Sequence, residues 1–179
     1  ELDAANQALS KSEARLALAL KASELGLWDW NLQTDEVHHT QIQELFGLEP
    51  EQVTGILRHL KPRLHPEDLP ALKRALVEHL KGRTEDYQIE YRVRHGDGHW
   101  VWIEDRGRAV ERAENGRVIR MVGTRRDISV SKGLEAQRQL AATVFEAASE
   151  GIVIFDPNYA LIAINQAFSR VTGYDIEDM

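Results

Sequence analysis

The sequence contains no cysteine, and this absence excludes several kinds of chemistry at once. Disulfides, thiolate zinc sites, cysteine nucleophiles and flavin photochemistry through a cysteinyl adduct all need that side chain. Long apolar runs are also missing, so neither a membrane span nor a secretory leader is predicted in this segment. With 42% apolar and 28% charged residues, the chain is expected to be globular and cytoplasmic.

Positive charge is scarce as well, with 22 Lys and Arg against 29 Asp and Glu and a net charge of −7. Nucleic acid is therefore not an expected partner, because binding it requires basic residues that neutralise phosphates. No Ser-His-acid, paired-carboxylate or phosphate-loop pattern is recognisable. The run Glu36-Val37-His38-His39 matches no compact metal site, because neighbouring side chains of a strand point to opposite faces. No metal site is predicted.

Alternation of apolar and polar residues predicts five strands. The clearest case runs from Tyr87 to Val93, where every second residue is apolar. The runs Gly96-Asp97-Gly98 and Asn115-Gly116 are typical of hairpin turns and connect this strand to two longer ones. The five predicted strands span residues 27–32, 37–40, 87–94, 99–110 and 118–128.

Helical spacing of apolar residues appears between and around these strands. Short helices are predicted at 41–48 and near 53–60, and a longer one opens at His65 and ends at Gly82. Leucines seven residues apart run along a helix within residues 1–25: Leu2, Leu9 and Leu16. A similar seam follows the last strand: Leu134, Ala141 and Ala148. Such seams are typical of two-stranded coiled coils, although a helix packed on its own domain is an alternative.

The chain also repeats itself. A glycine-led strand begins at Gly26 and its segment closes 21 residues later at Gly47, and a second begins at Gly151 and closes 22 residues later at Gly173. The second copy has no counterpart of the three long strands within this sequence. A hairpin and a helix bury too little apolar surface to be stable alone. Residues 150–179 are therefore predicted to be ordered only when packed on another surface or chain.

Four segments in this order resemble the PAS family, in its variant with an aromatic first strand. They are Gly26-Leu27-Trp28-Asp29-Trp30, Glu44-Leu45-Phe46-Gly47, His65-Pro66-Glu67-Asp68 and Asp127-Ile128-Ser129. The resemblance implies an α+β protein with the PAS fold, a five-stranded antiparallel sheet with short helices on one face and linker helices at both ends. The implied domains are a linker helix at 1–22, a PAS domain at 23–130, a connecting helix at 131–148 and the start of a second PAS domain at 149–179.

The resemblance further implies a sensory module of a multidomain bacterial signalling protein. Its output domain, a histidine kinase or an enzyme of cyclic di-GMP turnover, would lie outside these residues, and the segment itself would not be an enzyme. A homodimer through the linker helices and PAS surfaces is expected. No cofactor is expected, but an unidentified small molecule could occupy the space between sheet and helices. The candidate pocket residues are Trp30, Leu45, Phe46, Leu76, Ile89, Tyr91 and Trp102.

Two alternatives stay open for the ligand and two for the function. His79 on the long helix is the best candidate for a haem ligand, and a non-covalently bound flavin is a further possibility. Asp127, Ile128 and Ser129 lie where the last strand meets the outgoing helix, so they are predicted to relay a change in the sheet to that helix. The competing functions are a ligand-free dimerisation spacer and an enzyme whose site is not visible in the sequence.

Overall fold

The computed structural model describes residues 2–176, without the side chains of residues 2–5 and Leu16. The chain divides into two compact units at residue 129. The helices and strands up to that point are α1 (Leu2–Ala22), β1 (Gly26–Asn31), β2 (Glu36–His39), α2 (Ile42–Phe46), α3 (Leu69–Leu80), β3 (Tyr87–Arg94), β4 (Trp100–Arg112) and β5 (Val118–Asp127). They are followed by α4 (Ser129–Ala147), β6 (Val153–Phe155), β7 (Leu161–Ile164) and α5 (Gln166–Thr172).

The first unit is built on one five-stranded antiparallel sheet in the order β2-β1-β5-β4-β3. This confirms the predicted fold, and each predicted strand lies within two residues of its observed bounds. The hairpins between the three long strands turn at Gly98 and Gly116, both with positive φ. Glycine adopts this backbone conformation without the steric cost of a side chain, which is why these two turns were readable from sequence.

One face of the sheet is covered by α2, α3 and three single helical turns at Pro50–Gln52, Ile56–Leu60 and Lys61–Arg63. The buried side chains form two clusters. The first contains residues of α2, of the segment between α2 and α3, and of β3 and β4: Ile42, Leu45, Phe46, Leu48, Val53, Leu60, Leu64, Tyr91, Val93, Val101 and Ile103. The second lies under α3, and its buried members are Trp28, Trp30, Val37, Tyr87, Val118 and Met121.

The start of α3 is fixed to the edge strand β3 by a charged contact. Arg92 donates through Nε to Asp68 Oδ2 at 3.0 Å and through Nη2 to Oδ1 at 2.7 Å. The backbone N–H of Arg92 also donates to Asp68 at 2.8 Å, and that of His65 donates to the Arg92 carbonyl at 2.9 Å. The hydrogen bonds from Arg92 hold the pKa of Asp68 below its ordinary value. The His65-Pro66-Glu67-Asp68 segment therefore has a structural role here.

In the second unit, α4 leads into the β6–β7 hairpin and then α5. The buried Asn165 organises this region, because its side chain accepts from Ile152 N at 2.8 Å and Phe168 N at 3.0 Å. It also donates to the carbonyls of Phe145 and Glu150. Two strands, a short helix and a positive-φ glycine thus follow a helix, as in the first unit.

The second unit exposes many large apolar side chains. They include Val144, Phe155, Tyr159, Ile162, Val171 and Tyr174. The dependence of residues 150–179 on another packing surface stays a prediction, and residues 177–179 lie outside the described part. No helix among the described residues has the length and apolar character that crossing a bilayer requires.

Candidate functional site: a buried polar network beside a small cavity

The centre of the sheet contains a buried ion pair. Asp105 of β4 and Arg125 of β5 stand directly opposite each other in the strand register, and their side chains are 4% and 5% exposed. Arg125 Nε donates to Asp105 Oδ2 at 3.0 Å. Such a pair is unusual in a core, because taking two charges out of water costs several kcal/mol per ion in real proteins, roughly as much as their attraction returns.

Two aromatic side chains complete the hydrogen bonding of Asp105. Trp28 Nε1 donates to Oδ1 at 2.7 Å, and the Tyr91 hydroxyl donates to Oδ2 at 2.7 Å. The Arg125 guanidinium also lies over the Trp28 ring, 5.4 Å from its centroid. Both carboxylate oxygens are therefore occupied, which satisfies the buried charge.

His39 extends the network to β2, the remaining strand of the sheet. Its Nε2 lies 2.9 Å from the Val53 carbonyl, which can only accept, so Nε2 carries the proton. Its Nδ1 is then free to accept from Arg125 Nη1 at 3.4 Å. Burial, and next the Arg125 charge, lower the pKa of His39 from 6.5 to about 4. The network thus takes one residue from every strand, with His39 neutral at physiological pH.

The protonation states of the other members follow from the same geometry. Burial raises the pKa of Tyr91 well above its ordinary value of 10.0, and the Asp105 charge adds to this effect. Burial alone would lower the pKa of Arg125, but the attraction of Asp105 outweighs it and raises the pKa above its ordinary value. Tyr91 is therefore a hydrogen-bond donor and Arg125 a cation over the whole physiological range.

Trp28 reaches Asp105 because two glycines make room for its ring. Gly107 of β4 and Gly123 of β5 are paired in the register, and a Cβ at either position would collide with the indole. A side chain there would push the ring away from the carboxylate. The sheet therefore has a depression that fits the Trp28 indole.

A cavity of about 40 Å³ lies between this network and the covering helices. A single water needs about 10–15 Å³ on this kind of measure, so the space holds about three waters or a molecule of a few non-hydrogen atoms. It is far smaller than a haem or a flavin. Its walls are Trp28, Trp30, Ile56, Leu60, Leu64, Leu72, Leu76, Tyr87, Tyr91, Asp105, Met121 and Arg125.

Comparison with known proteins gives the family. A family model described as PAS fold matches residues 38–125, and one described as PAS domain matches residues 139–179. The solved structure of a sensory box histidine kinase/response regulator from Burkholderia thailandensis E264 is 31% identical, with a TM-score of 0.62. That match covers 72% of this chain and 95% of the other. The chain belongs to the PAS family.

Two further proteins are similar to this chain. The N-terminal domain of a diguanylate cyclase with PAS/PAC sensor from Marinobacter aquaeolei is 30% identical, with a TM-score of 0.53, over 60% of this chain and 98% of that one. A non-motile and phage-resistance protein of Caulobacter vibrioides is 22% identical over 94% of this chain and 20% of its own length. This PAS chain spans a fifth or less of the length of the curated relatives it matches.

The predicted pocket residues of the PAS domain fall into different places. Trp30, Leu76 and Tyr91 line the cavity. Leu45 and Phe46 are buried in the first cluster instead, and they do not line it. Ile89 is partly buried against both clusters without reaching the cavity.

Trp102 corrects the prediction. Its neighbours Val101 and Ile103 face the core, so Trp102 points to the opposite face of the sheet. There the Arg92 guanidinium covers its ring, 5.1 Å from the centroid. Large apolar residues of β4 occur on both faces of the strand. The sequence alone therefore did not show which face is buried.

His79 is buried but is not placed to bind a haem iron. Its Nε2 accepts from the backbone N–H of Ala109 at 3.0 Å, and its Nδ1 donates to the Thr84 carbonyl at 3.1 Å. Ala109 lies beyond the end of β3, next to a register irregularity of β4, where the sheet offers its N–H no partner from β3. With both ring nitrogens engaged, His79 secures the end of α3 to β4.

Four members of the network were missed by the sequence reasoning: Trp28, His39, Asp105 and Arg125. A signal for two of them existed. On β4, Asp105 lies an even number of positions from the buried Val101 and Ile103 and therefore faces the same side. On β5, Arg125 lies an even number of positions from the buried Met121. Two opposite charges on inward positions of adjacent strands indicate a buried pair.

The predicted relay residues form a compact joint between β5 and α4. The Ser129 N–H donates to Asp127 Oδ1 at 2.7 Å, which caps the start of α4. Ser129 Oγ accepts from Trp102 N at 2.9 Å, and the Ile128 N–H donates to the Trp102 carbonyl at 2.9 Å. Ile128 is itself buried. The joint is therefore fixed to β4 by two hydrogen bonds at one residue.

Proposed function

We propose that residues 23–130 form a PAS sensory module, which passes a change at the buried network to α4 and on to an output domain elsewhere in a longer protein. The observation that carries this proposal is the Asp105–Arg125 pair on the wall of a core cavity. A core that served only stability would gain as much from apolar residues of similar volume. A charged pair that faces an open space is suited to recognising a polar group.

The cavity wall defines the class of ligand. The Leu72 and Leu76 side chains form an apolar side, while Tyr91, Asp105 and Arg125 form a polar one. A small amphiphilic molecule of a few non-hydrogen atoms matches this division. Its polar group would compete with Asp105 for the Arg125 or Tyr91 donors and would thereby change the hydrogen bonds across the sheet.

The route from the network to α4 is short. Arg125 and Asp127 are two residues apart on β5, so their side chains project from the same side of the strand. Asp127 is opposite Ile103 in the register and caps α4. A shift of β5 that relieves or tightens the Asp105–Arg125 contact would therefore act directly on the hydrogen bonds at Asp127, Ile128 and Ser129.

Native mass spectrometry of the purified protein tests the sensor proposal. We expect a stoichiometric small-molecule adduct below the mass of a haem or flavin, which is lost in an Arg125→Met variant and retained in a surface control, Arg120→Gln. Arg120 is a suitable control because it lies on the same strand but is exposed. A ligand-free protein with the cavity filled by side chains in a crystal structure would contradict the proposal.

A homodimer through the linker helices is part of the same proposal. Every described side chain from residue 6 to residue 19 of α1 is exposed, including Leu9 and Leu18, and the same holds from 133 to 144 of α4. Leu2 and Leu16 of the predicted seam have side chains outside the described ones. Sedimentation velocity should show a dimer that Leu9→Glu weakens and Leu57→Glu, at an exposed leucine outside α1, leaves intact.

The output domain is proposed from the relatives. The two solved neighbours come from a sensory box histidine kinase/response regulator and from a diguanylate cyclase with a PAS/PAC sensor. We propose an output of one of these two kinds, together with the division into a linker helix, a PAS domain, a connecting helix and a second PAS domain that starts near residue 149. Sequencing and assay of the whole parent protein tests this directly.

The ligand-free spacer is the second candidate function. The observation in its favour is the small volume of the cavity, because a filled core could serve only to hold the linker helices. The enzymatic alternative predicts a histidine beside a carboxylate in a cleft. Near this cavity, His39 and Asp105 each contact the Arg125 guanidinium rather than each other. This arrangement does not support the enzymatic alternative.

A further inference from the structure

We propose that the β3–β4 hairpin binds a divalent first-row transition metal through His95, Asp97 and His99. Their candidate ligand atoms all lie within 4.8 Å of one another. His95 Nδ1 is 2.9 Å from Asp97 Oδ1, and His99 Nδ1 is within hydrogen-bonding distance of the same oxygen. Three candidate ligand atoms therefore already lie close together, and a cation that binds them would replace the protons on the histidine nitrogens that face Asp97.

The hairpin holds these side chains in place before any metal binds. His95 and His99 lie opposite each other across the turn, where the His95 N–H donates to the His99 carbonyl at 2.8 Å, and their rings are stacked with centroids 4.5 Å apart. The His95 ring lies so close to Gly47 that a Cβ at Gly47 would collide with it. The Gly96 N–H donates to the Phe46 carbonyl at 2.7 Å, which fixes the turn against the end of α2. Preorganised ligands bind a metal with little entropic cost.

The donor set selects the class of metal. Two imidazole nitrogens and one carboxylate oxygen suit zinc and its neighbours, whereas calcium and magnesium prefer six or more oxygen ligands, water included. Three protein ligands leave at least one position of a tetrahedral ion open to solvent. Asp97 and His99 are exposed, with side chains 62% and 58% accessible, so an ion can reach the site without any rearrangement of the core.

Metal binding here would connect two parts of the fold. His95 and Gly96 contact Gly47 and Phe46, and Phe46 is fully buried in the first core cluster beside α2. A bound ion would thus tighten the hairpin against α2. This is a site distinct from the Asp105–Arg125 cavity, and it does not depend on the proposed sensory function.

Isothermal titration of the tag-free protein with zinc chloride, in a buffer that does not chelate metals, tests the proposal. We expect one zinc per chain with a micromolar dissociation constant. His99→Ala should weaken binding by about tenfold or more, and so should Asp97→Asn. His38→Ala is the matched control, because His38 is an exposed histidine on β2 away from the hairpin, and its affinity should equal that of the wild type.

A second readout guards against loss of folding in the variants. Circular dichroism should show that His99→Ala melts within a few degrees of the wild type without zinc, and that zinc raises the melting temperature of the wild type only. Cobalt should give visible absorption bands in the wild type that are weak or absent in His99→Ala. The proposal is overturned if zinc binds only at millimolar concentration, or if His99→Ala and His38→Ala reduce its affinity equally.

Discussion

Replacing Asp105 by Asn leaves the Arg125 guanidinium buried without a counter-charge. The change keeps the size of the side chain and an oxygen that still accepts from Trp28 Nε1, so it isolates the loss of charge. Breaking a buried ion pair by removing one partner costs about 3–5 kcal/mol. Because domains of this size are stable by about 5–15 kcal/mol in total, this loss is large and yet leaves a folded protein to measure.

A second substitution should restore much of that loss. In Asp105→Asn/Arg125→Met the uncompensated cation is gone, the new thioether fills most of the space of the arginine, and the Asn amide can donate to the Tyr91 hydroxyl. We expect the double variant to lie within about 2 kcal/mol of the wild type. Arg125→Met alone should again cost about 3–5 kcal/mol, because Asp105 is then a buried anion without its cation.

Urea denaturation of the four proteins, followed by tryptophan fluorescence and circular dichroism, gives the free energies of unfolding for this double-mutant cycle. We expect a large coupling energy between the two residues, so that the double variant is far more stable than the sum of the two single losses predicts. An Asp105→Asn variant that loses less than about 1 kcal/mol, or two losses that simply add, would show that the pair is solvated or unpaired in solution.

Three further results are expected. Because burial and Arg125 hold the His39 pKa at about 4, the unfolded chain protonates this imidazole at a higher pH than the folded protein does. The free energy of unfolding should therefore decline from about pH 6.5 to pH 4, and urea titrations of His39→Gln should lack this part of the decline. Asp68→Asn should cost about 1–2 kcal/mol in chemical denaturation, while Glu67→Gln, whose partner contact is exposed, should cost under about 0.5. Asp127→Ala should lose only about 1 kcal/mol of stability as a helix cap, yet change the output activity of the full-length parent; unchanged output would contradict the relay.

The strands of the sheet were predictable because their signals are local. Residues Tyr87–Arg94 alternate between apolar and polar with a period of two. Gly98 follows β3 and Gly116 follows β4, each at a turn position with a positive φ. Such patterns do not depend on the rest of the fold. The fold class and the repeat of its first elements therefore followed from the sequence.

The composition of the site was less predictable, because it depends on which strand faces which. Trp102 and Ile103 are both large and apolar, and only the assembled sheet decides that Ile103 is inside. Leu45 and Phe46 were correctly expected to be buried, but their distance from the cavity depends on where α2 lies on the sheet. Asp105 and Arg125 are 20 residues apart, and their contact arises from the register of β4 and β5.

Amide hydrogen exchange at Ile128 and Ser129 is the most direct test of coupling between the network and α4. The wild type is compared with Asp105→Asn/Arg125→Met and with a control that removes the exposed Asp29–Arg120 pair between β1 and β5. If the network and α4 are coupled, these two amides exchange faster in the network variant, beyond any change at the slowest amides of β4, and they do not change in the control. Equal protection of Ile128 and Ser129 in all three proteins would show that the network and α4 are not coupled.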